Sequence, residues 1–161
     1  MSFFKKLFGS KEIEDGPMPQ RPLDLEFSIN ATNAENFARQ FAAAVKKNDA
    51  VDLDFSIDSL AFVDTFLQKF RDEDLTVDQF AETIFVAGCY VGETIRLNSG
   101  SKWANREEID LPVNKYMSNI VVRSANGSIC DPIAKTYKRF YYGEADSVLF
   151  LYHVFAREAA K

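Results

Sequence analysis

Apolar positions along the chain follow two periods, and the switches between them divide it into elements. Residues 76–97, TVDQFAETIFVAGCYVGETIRL, place Val77, Phe80, Ala81, Ile84, Ala87, Gly88, Val91 and Ile95 at three- and four-residue steps. From Ile84 to Gly92 the only polar side-chain groups are the Cys89 thiol and the Tyr90 hydroxyl. A helix that is apolar on every side has to be packed on every side. Its unbroken apolar run is far shorter than the ~20 residues that span a bilayer, so the pattern predicts a core helix. Thr76 and Gln79 form a capping-box pair at its start, and Asn98, Ser99 and Gly100 mark its end.

The same period predicts four more helices. Phe37, Phe41, Ala44 and Val45 make one stripe behind a Thr32/Glu35 capping box, ending near Asn48. Leu60, Val63, Leu67 and Phe70 make a second, capped by Ser56 or Asp58, with Phe62 and Phe66 widening its apolar face. Asp131 followed by Pro132 opens a third, with Ile133, Tyr137 and Tyr141 inward and Gly143 as its stop. Asp146 starts the last, burying Val148, Leu151, Tyr152 and Phe155. Strict alternation, the strand period, occurs at Leu23, Leu25, Phe27 and Ile29 and again over residues 51–55. The β-branched run Ile120, Val121, Val122 precedes Asn126-Gly127, a strong hairpin signal, with residues 128–130 as the returning strand. Over residues 102–113 Pro112 argues against a central strand, and Trp103 is expected to pin an extended segment to the core. The order predicts an α+β fold, predominantly helical, with about five helices and a small antiparallel sheet.

Ahead of this domain, MSFFKKLFGS sets Phe3, Phe4, Leu7 and Phe8 against Lys5 and Lys6, a short basic amphipathic segment. Two turns are below the ~12 to 15 residues an isolated helix needs in water, so it gains order only on a membrane surface, on a partner or on its own domain. Residues 11–22, with three prolines and a glycine, read as a linker. Residues 1–22 are thus expected to be a flexible amphipathic segment and linker, and residues 23–161 a single α+β domain. A chain of 161 residues buries roughly 68 to 70% of its unfolded surface around one core. With 15 phenylalanines against one tryptophan, that core is expected to rest on large rings spread over several helices.

The formal charge of −5 comes with cations dispersed among acids, which argues against nucleic acid as a partner. Cys89 and Cys130 stand far apart and match no redox or ligand spacing, pointing to a reducing compartment without a disulfide. No apolar run suited to secretion follows the first basic residues, so a cytoplasmic protein is expected.

The segment LDFSIDSLAFVDTFL (residues 53–67), then GCYVGE (residues 88–93), then Trp103, resembles a loose group of small bacterial cytosolic domains of unknown function. Asp131-Pro132-Ile133 and KTYKRFYYGEADSV fit the same group, so the resemblance extends from about Asp52 to the C-terminus. It implies a mostly helical bacterial domain and carries no catalytic residues over. The N-terminal segment and Leu23 lie outside it.

Gly88 and Gly92, one turn apart, predict close approach by a neighbouring helix or by the Trp103 ring, since a helix-interior glycine costs roughly 1 kcal/mol that tight packing offsets. Glu93 ends the apolar run with Arg96 at i+3, a spacing that favours an ion pair. If Glu93, Arg96 and Trp103 converge on a pocket they bind a polar ligand or a partner's side chain. A Cys89–His153 nucleophile pair fails on environment, because an apolar helix suppresses the thiolate. One histidine and two separated cysteines do not make a zinc site. Aligning Asp52, Asp54 and Ser56 with a calcium loop puts Ile57 where glycine is required and Val63 where the closing glutamate belongs. No cofactor or metal is expected. These readings converge on a non-catalytic protein-interaction module of immunity or adaptor type. The alternatives are a small-ligand binder or weak hydrolase at the C-terminal end of the central helix, and a peripheral membrane protein held through Phe3, Phe4, Leu7 and Phe8.

Overall fold

The computed structural model describes residues 16–110 and 117–161; Phe3, Phe4, Leu7, Phe8 and Pro112 lie outside them. Five α-helices and three strands follow in the order α1 (Ala34–Asp49), α2 (Ser59–Asp72), α3 (Ala81–Ser99), β1 (Lys102–Asn105), β2 (Ile120–Arg123), β3 (Ile129–Cys130), α4 (Pro132–Tyr142) and α5 (Val148–Ala159). This is the helix-dominated α+β fold that the patterns predict.

α3 is the centre. Every residue from Ala87 to Ile95 is buried, and the helix packs most extensively against α1 and α4. The two glycines allow this. A Cβ on Gly88 would stand 2.8 Å from the Cα of Ile133 in α4, and one on Gly92 would stand 2.1 Å from the Trp103 ring. Gly100, at φ +66°, ends the helix in the left-handed conformation. The Thr76/Gln79 box forms, with the Gln79 N–H donating to Thr76 Oγ1 at 3.1 Å and the Thr76 N–H to Gln79 Oε1 at 2.8 Å. It closes a turn ahead of the helix, however, and the α-helix itself begins only at Ala81.

The sheet has the order β1-β2-β3 and is antiparallel throughout, with Trp103 opposite Val122 and Arg123 opposite Ile129. The hairpin at Asn126-Gly127 is present, with Gly127 at φ +89°, and Asn126 Nδ2 donates to the Glu158 carbonyl at 2.8 Å, tying the turn to the end of α5.

Two expected strands do not form. Burial alternates along residues 23–29 and 51–55 as their patterns require, but neither segment belongs to a sheet. The alternating apolar side chains pack on the helices, as Phe27 does on Phe37 at 5.6 Å. Alternation reports one buried face and says nothing of a ladder partner. Residues 51–55 are also bounded by left-handed residues, Ala50 at φ +55° and Phe55 at φ +58°. The Phe55 N–H donates to the Tyr90 hydroxyl at 2.9 Å and its carbonyl accepts from Asn98 Nδ2 at 2.9 Å, so this conformation is clamped from both sides. Helix starts also differ from expectation: Asn30 rather than Thr32 accepts from the Asn33 N–H at 3.0 Å, and Ser147 rather than Asp146 caps α5.

Residues 16–22, the second part of the expected linker, lie on the domain. Arg21 forks onto Glu82 at 2.7 and 2.8 Å and donates to the Asp78 carbonyl from Nε at 3.0 Å. A planar guanidinium meeting a carboxylate bidentately is a specific contact that proline content does not foretell.

Candidate functional site

Glu93 and Arg96 sit one turn apart near the end of α3, and β1 brings Trp103 to them, so the three residues singled out in the sequence do converge. They converge on one another. Glu93 is 2% exposed; Arg96 donates from Nε to both its oxygens at 3.1 and 3.0 Å and from Nη2 to Oε1 at 2.5 Å, while Trp103 Nε1 donates to Oε2 at 2.9 Å. Hydrogen bonding to Glu93 raises the Arg96 guanidinium above its ordinary value. The Trp103 ring fills the space that Gly92 leaves open. None of the five cavities described along the surface is lined by any of the three. A buried carboxylate with several donors and an ion pair is a packing device joining β1 to α3.

The other candidate groups are placed equally clearly. Burial pushes the Cys89 thiol well above its ordinary value, and the charge of Glu93 adds to this; Cys130 is raised by burial as well. His153 is exposed on α5 beside the Tyr152 ring. Asp52 pairs with Lys46 at 2.9 Å, and Asp54 is lowered by its hydrogen bonds from Ser56. Among the described residues, no three or more His, Cys, Asp or Glu side chains gather as a metal site would require.

One polar network escaped the sequence reading. Arg139 of α4, 4% exposed, donates to Asp64 Oδ1 at 3.1 Å, to the Asp64 carbonyl at 3.1 Å and to Gln68 at 2.8 Å. Asp64 also accepts from Ser147 Oγ at 2.7 Å and from the Val148 and Leu149 N–H groups at 2.9 and 3.3 Å. A carboxylate on α2 thereby caps α5 from outside it. The available signal was an acid directly beside Val63, with Leu60 and Leu67 a turn away on either side.

The remaining feature is an apolar cleft where the C-terminal halves of α1 and α2 meet the start of α3. Phe41, Val45, Phe66, Phe70, Phe80 and Val86 form its walls, Asn48, Asp49, Lys69 and Thr83 its rim, and its volume is about 420 Å³. The rings hold one another: Phe41 meets Phe66 edge-on at 5.2 Å, Phe66 meets Phe70 at 4.9 Å, and Phe70 meets Phe80 at 4.6 Å. Phe66, Phe70 and Phe80 are only half-buried. The sequence signal was the wide apolar face of α2, broader than one neighbouring helix covers.

Comparison with protein-family models, with curated proteins and with solved structures finds no match to this chain. Among the described residues no helix is long and apolar enough to cross a membrane.

Proposed function

We propose that this protein is a non-catalytic protein-interaction module, of immunity or adaptor type, and that the phenylalanine cleft is its docking surface. The observation that carries this reading is a preformed apolar cleft of about 420 Å³ whose walls include the half-buried rings of Phe66, Phe70 and Phe80, the kind of surface on which a few side chains supply most of the binding energy. Glu93, Arg96 and Trp103 engage one another instead. The partner is an apolar protein segment flanked by cations. Asp49 stands on the rim, Asp72 ends α2 with Glu73 and Asp74 directly after it, and Asp49, Glu73 and Asp74 are in no ion pair among the described residues.

Quantitative pull-down from native lysate tests the reading, using the full chain, Phe70→Asp in the cleft and His153→Ala on α5. Partners retained by wild type and His153→Ala are expected to be lost from Phe70→Asp, with far-UV circular dichroism unchanged. Identical recovery by all three chains, or recovery of nothing specific by any, would count against it.

A further inference from the structure

We infer that this chain forms a two-fold symmetric dimer through the exposed face of α5, with Phe150 of each copy entering the apolar cavity between α5 and β3 of the other. The inference goes beyond the reading of the phenylalanine cleft, none of whose lining residues takes part.

α5 carries apolar residues on two sides. Val148, Tyr152 and Phe155 face the core. Phe150 and Val154 do not: they are 63% and 39% exposed, two of the four large apolar side chains exposed among the described residues. At i, i+4 and i+7, Phe150, Val154 and Arg157 lie on one stripe of the helix, and Arg157 is exposed as well. The apolar surface continues sideways, because Leu151 and Val154 wall a cavity of about 310 Å³ together with Ile129 and Cys130 of β3. A contiguous exposed apolar patch of this kind marks an interaction face.

Self-complementarity decides the occupant. The face carries a projecting ring at Phe150 and, one helical turn further on, a cavity beside Val154; a void of about 150 Å³ already holds a benzene ring. A two-fold axis crossing α5 at the level of Tyr152 sets the two helices antiparallel and places each Phe150 against Val154 of the second copy, at the mouth of its cavity. Isologous contact of this kind closes on two copies. Charge agrees with the same register. Arg157 then stands opposite Ser147 of the second copy, three residues from Glu144. Arg157 and Glu144 are both exposed, and neither is in an ion pair among the described residues, so the unpaired cation of one copy meets the unpaired anion of the other, twice. α5 has 12 residues and is about 18 Å long. Its face is therefore smaller than the ~800 Å² that each partner gives a standard interface, and the dimer exchanges with monomer.

The test is sedimentation velocity on the full chain from ~10 μM to ~1 mM, a range that brackets weak association. Wild type is expected to pass from monomer to dimer across it and to stop there. Phe150→Asp, at a position already in water, should stay monomeric with its urea midpoint unchanged, while Leu97→Asp, at an exposed apolar position of α3, should dimerise as wild type does. Glu144→Arg and Arg157→Glu are each expected to raise the dissociation constant roughly five- to tenfold, because symmetry doubles each change, and E144R/R157E to bring it back. Wild type monomeric throughout, a dimer that survives Phe150→Asp, or growth beyond two copies would overturn the inference. So would a double reversal no tighter than the single ones, since the antiparallel register requires recovery. Phe70→Asp separates this inference from the cleft reading. It should dimerise as wild type does, so its loss of a partner in the pull-down bears on the cleft alone, and loss of the dimer in Phe150→Asp bears on α5 alone.

Discussion

A single glycine decides how the sole tryptophan sits. Trp103 lies where a side chain on Gly92 would be, so Gly92→Ala forces the indole off α3 and breaks its hydrogen bond to Glu93. Overpacking of this kind costs about 1 to 3 kcal/mol. The expected outcome is a lower denaturation midpoint with a red-shifted emission maximum from Trp103, the only tryptophan; unchanged emission would mean the ring has room elsewhere. Tyr90→Phe tests the clamp on Phe55. Its hydroxyl accepts from the Phe55 N–H and bonds Ser59 Oγ at 2.7 Å; Ser59 Oγ keeps its bond to the Ser56 carbonyl, but leaving the part-buried Phe55 N–H unpaired costs about 1 kcal/mol, read as a loss in equilibrium stability. The Glu93–Arg96 ion pair was legible from its i, i+3 spacing, and a close approach at Gly92 from the glycine itself. The bond from Trp103 Nε1 to Glu93 was not, because it depends on where the chain returns after Gly100, and periodicity within a helix carries no information about that.

Helices were legible because each shows a stripe and an end signal, as in Asp131-Pro132 and Gly143 around α4, where Asp131 accepts from the Ala134 N–H at 2.9 Å. Expected strands at residues 23–29 and 51–55 failed because a half-buried extended segment and a strand share one pattern; only pairing separates them. The capping of α5 by Asp64 was invisible for a related reason: cap and helix lie 83 residues apart. Asp64→Ala removes that cap and leaves the Arg139 charge buried without its carboxylate, a change that costs about 3 to 5 kcal/mol. Hydrogen exchange is expected to accelerate first in α5. The double variant D64L/R139M should recover much of the loss, since paired removal avoids the uncompensated charge; a double variant no more stable than Asp64→Ala would place the cost in the lost cap.

For the whole molecule the pH dependence contains opposing contributions. Burial raises the Asp131 carboxyl, so its contribution to stability is present below the unfolded value of about 3.9 and is lost as pH rises through the folded value. Hydrogen bonding from Arg21 lowers Glu82; its contribution is present above the unfolded value of about 4.3 and is lost as pH falls through the folded one. With both partners about a third exposed, solvent screening keeps this term small. Glu82→Gln is accordingly expected to lower stability modestly at pH 7 and to make the decline between pH 5 and pH 3 shallower, measured by urea midpoints; an unaltered slope would remove Arg21–Glu82 from the acid response. Both thiols, raised by burial, should resist a disulfide reagent at pH 8 in the folded chain and react once it is unfolded.

The remote cap also bears on the order in which the chain acquires its structure. During synthesis α1, α2 and α3 are complete long before Ser147 and Val148 exist, and until those residues arrive Asp64 has no α5 to hold. A growing chain can therefore assemble α1, α2 and α3 early, but this latch closes only once the segment from Ser147 to Leu149 has been made. A chain cut short before Ser147 would retain a patterned core and still lack that latch.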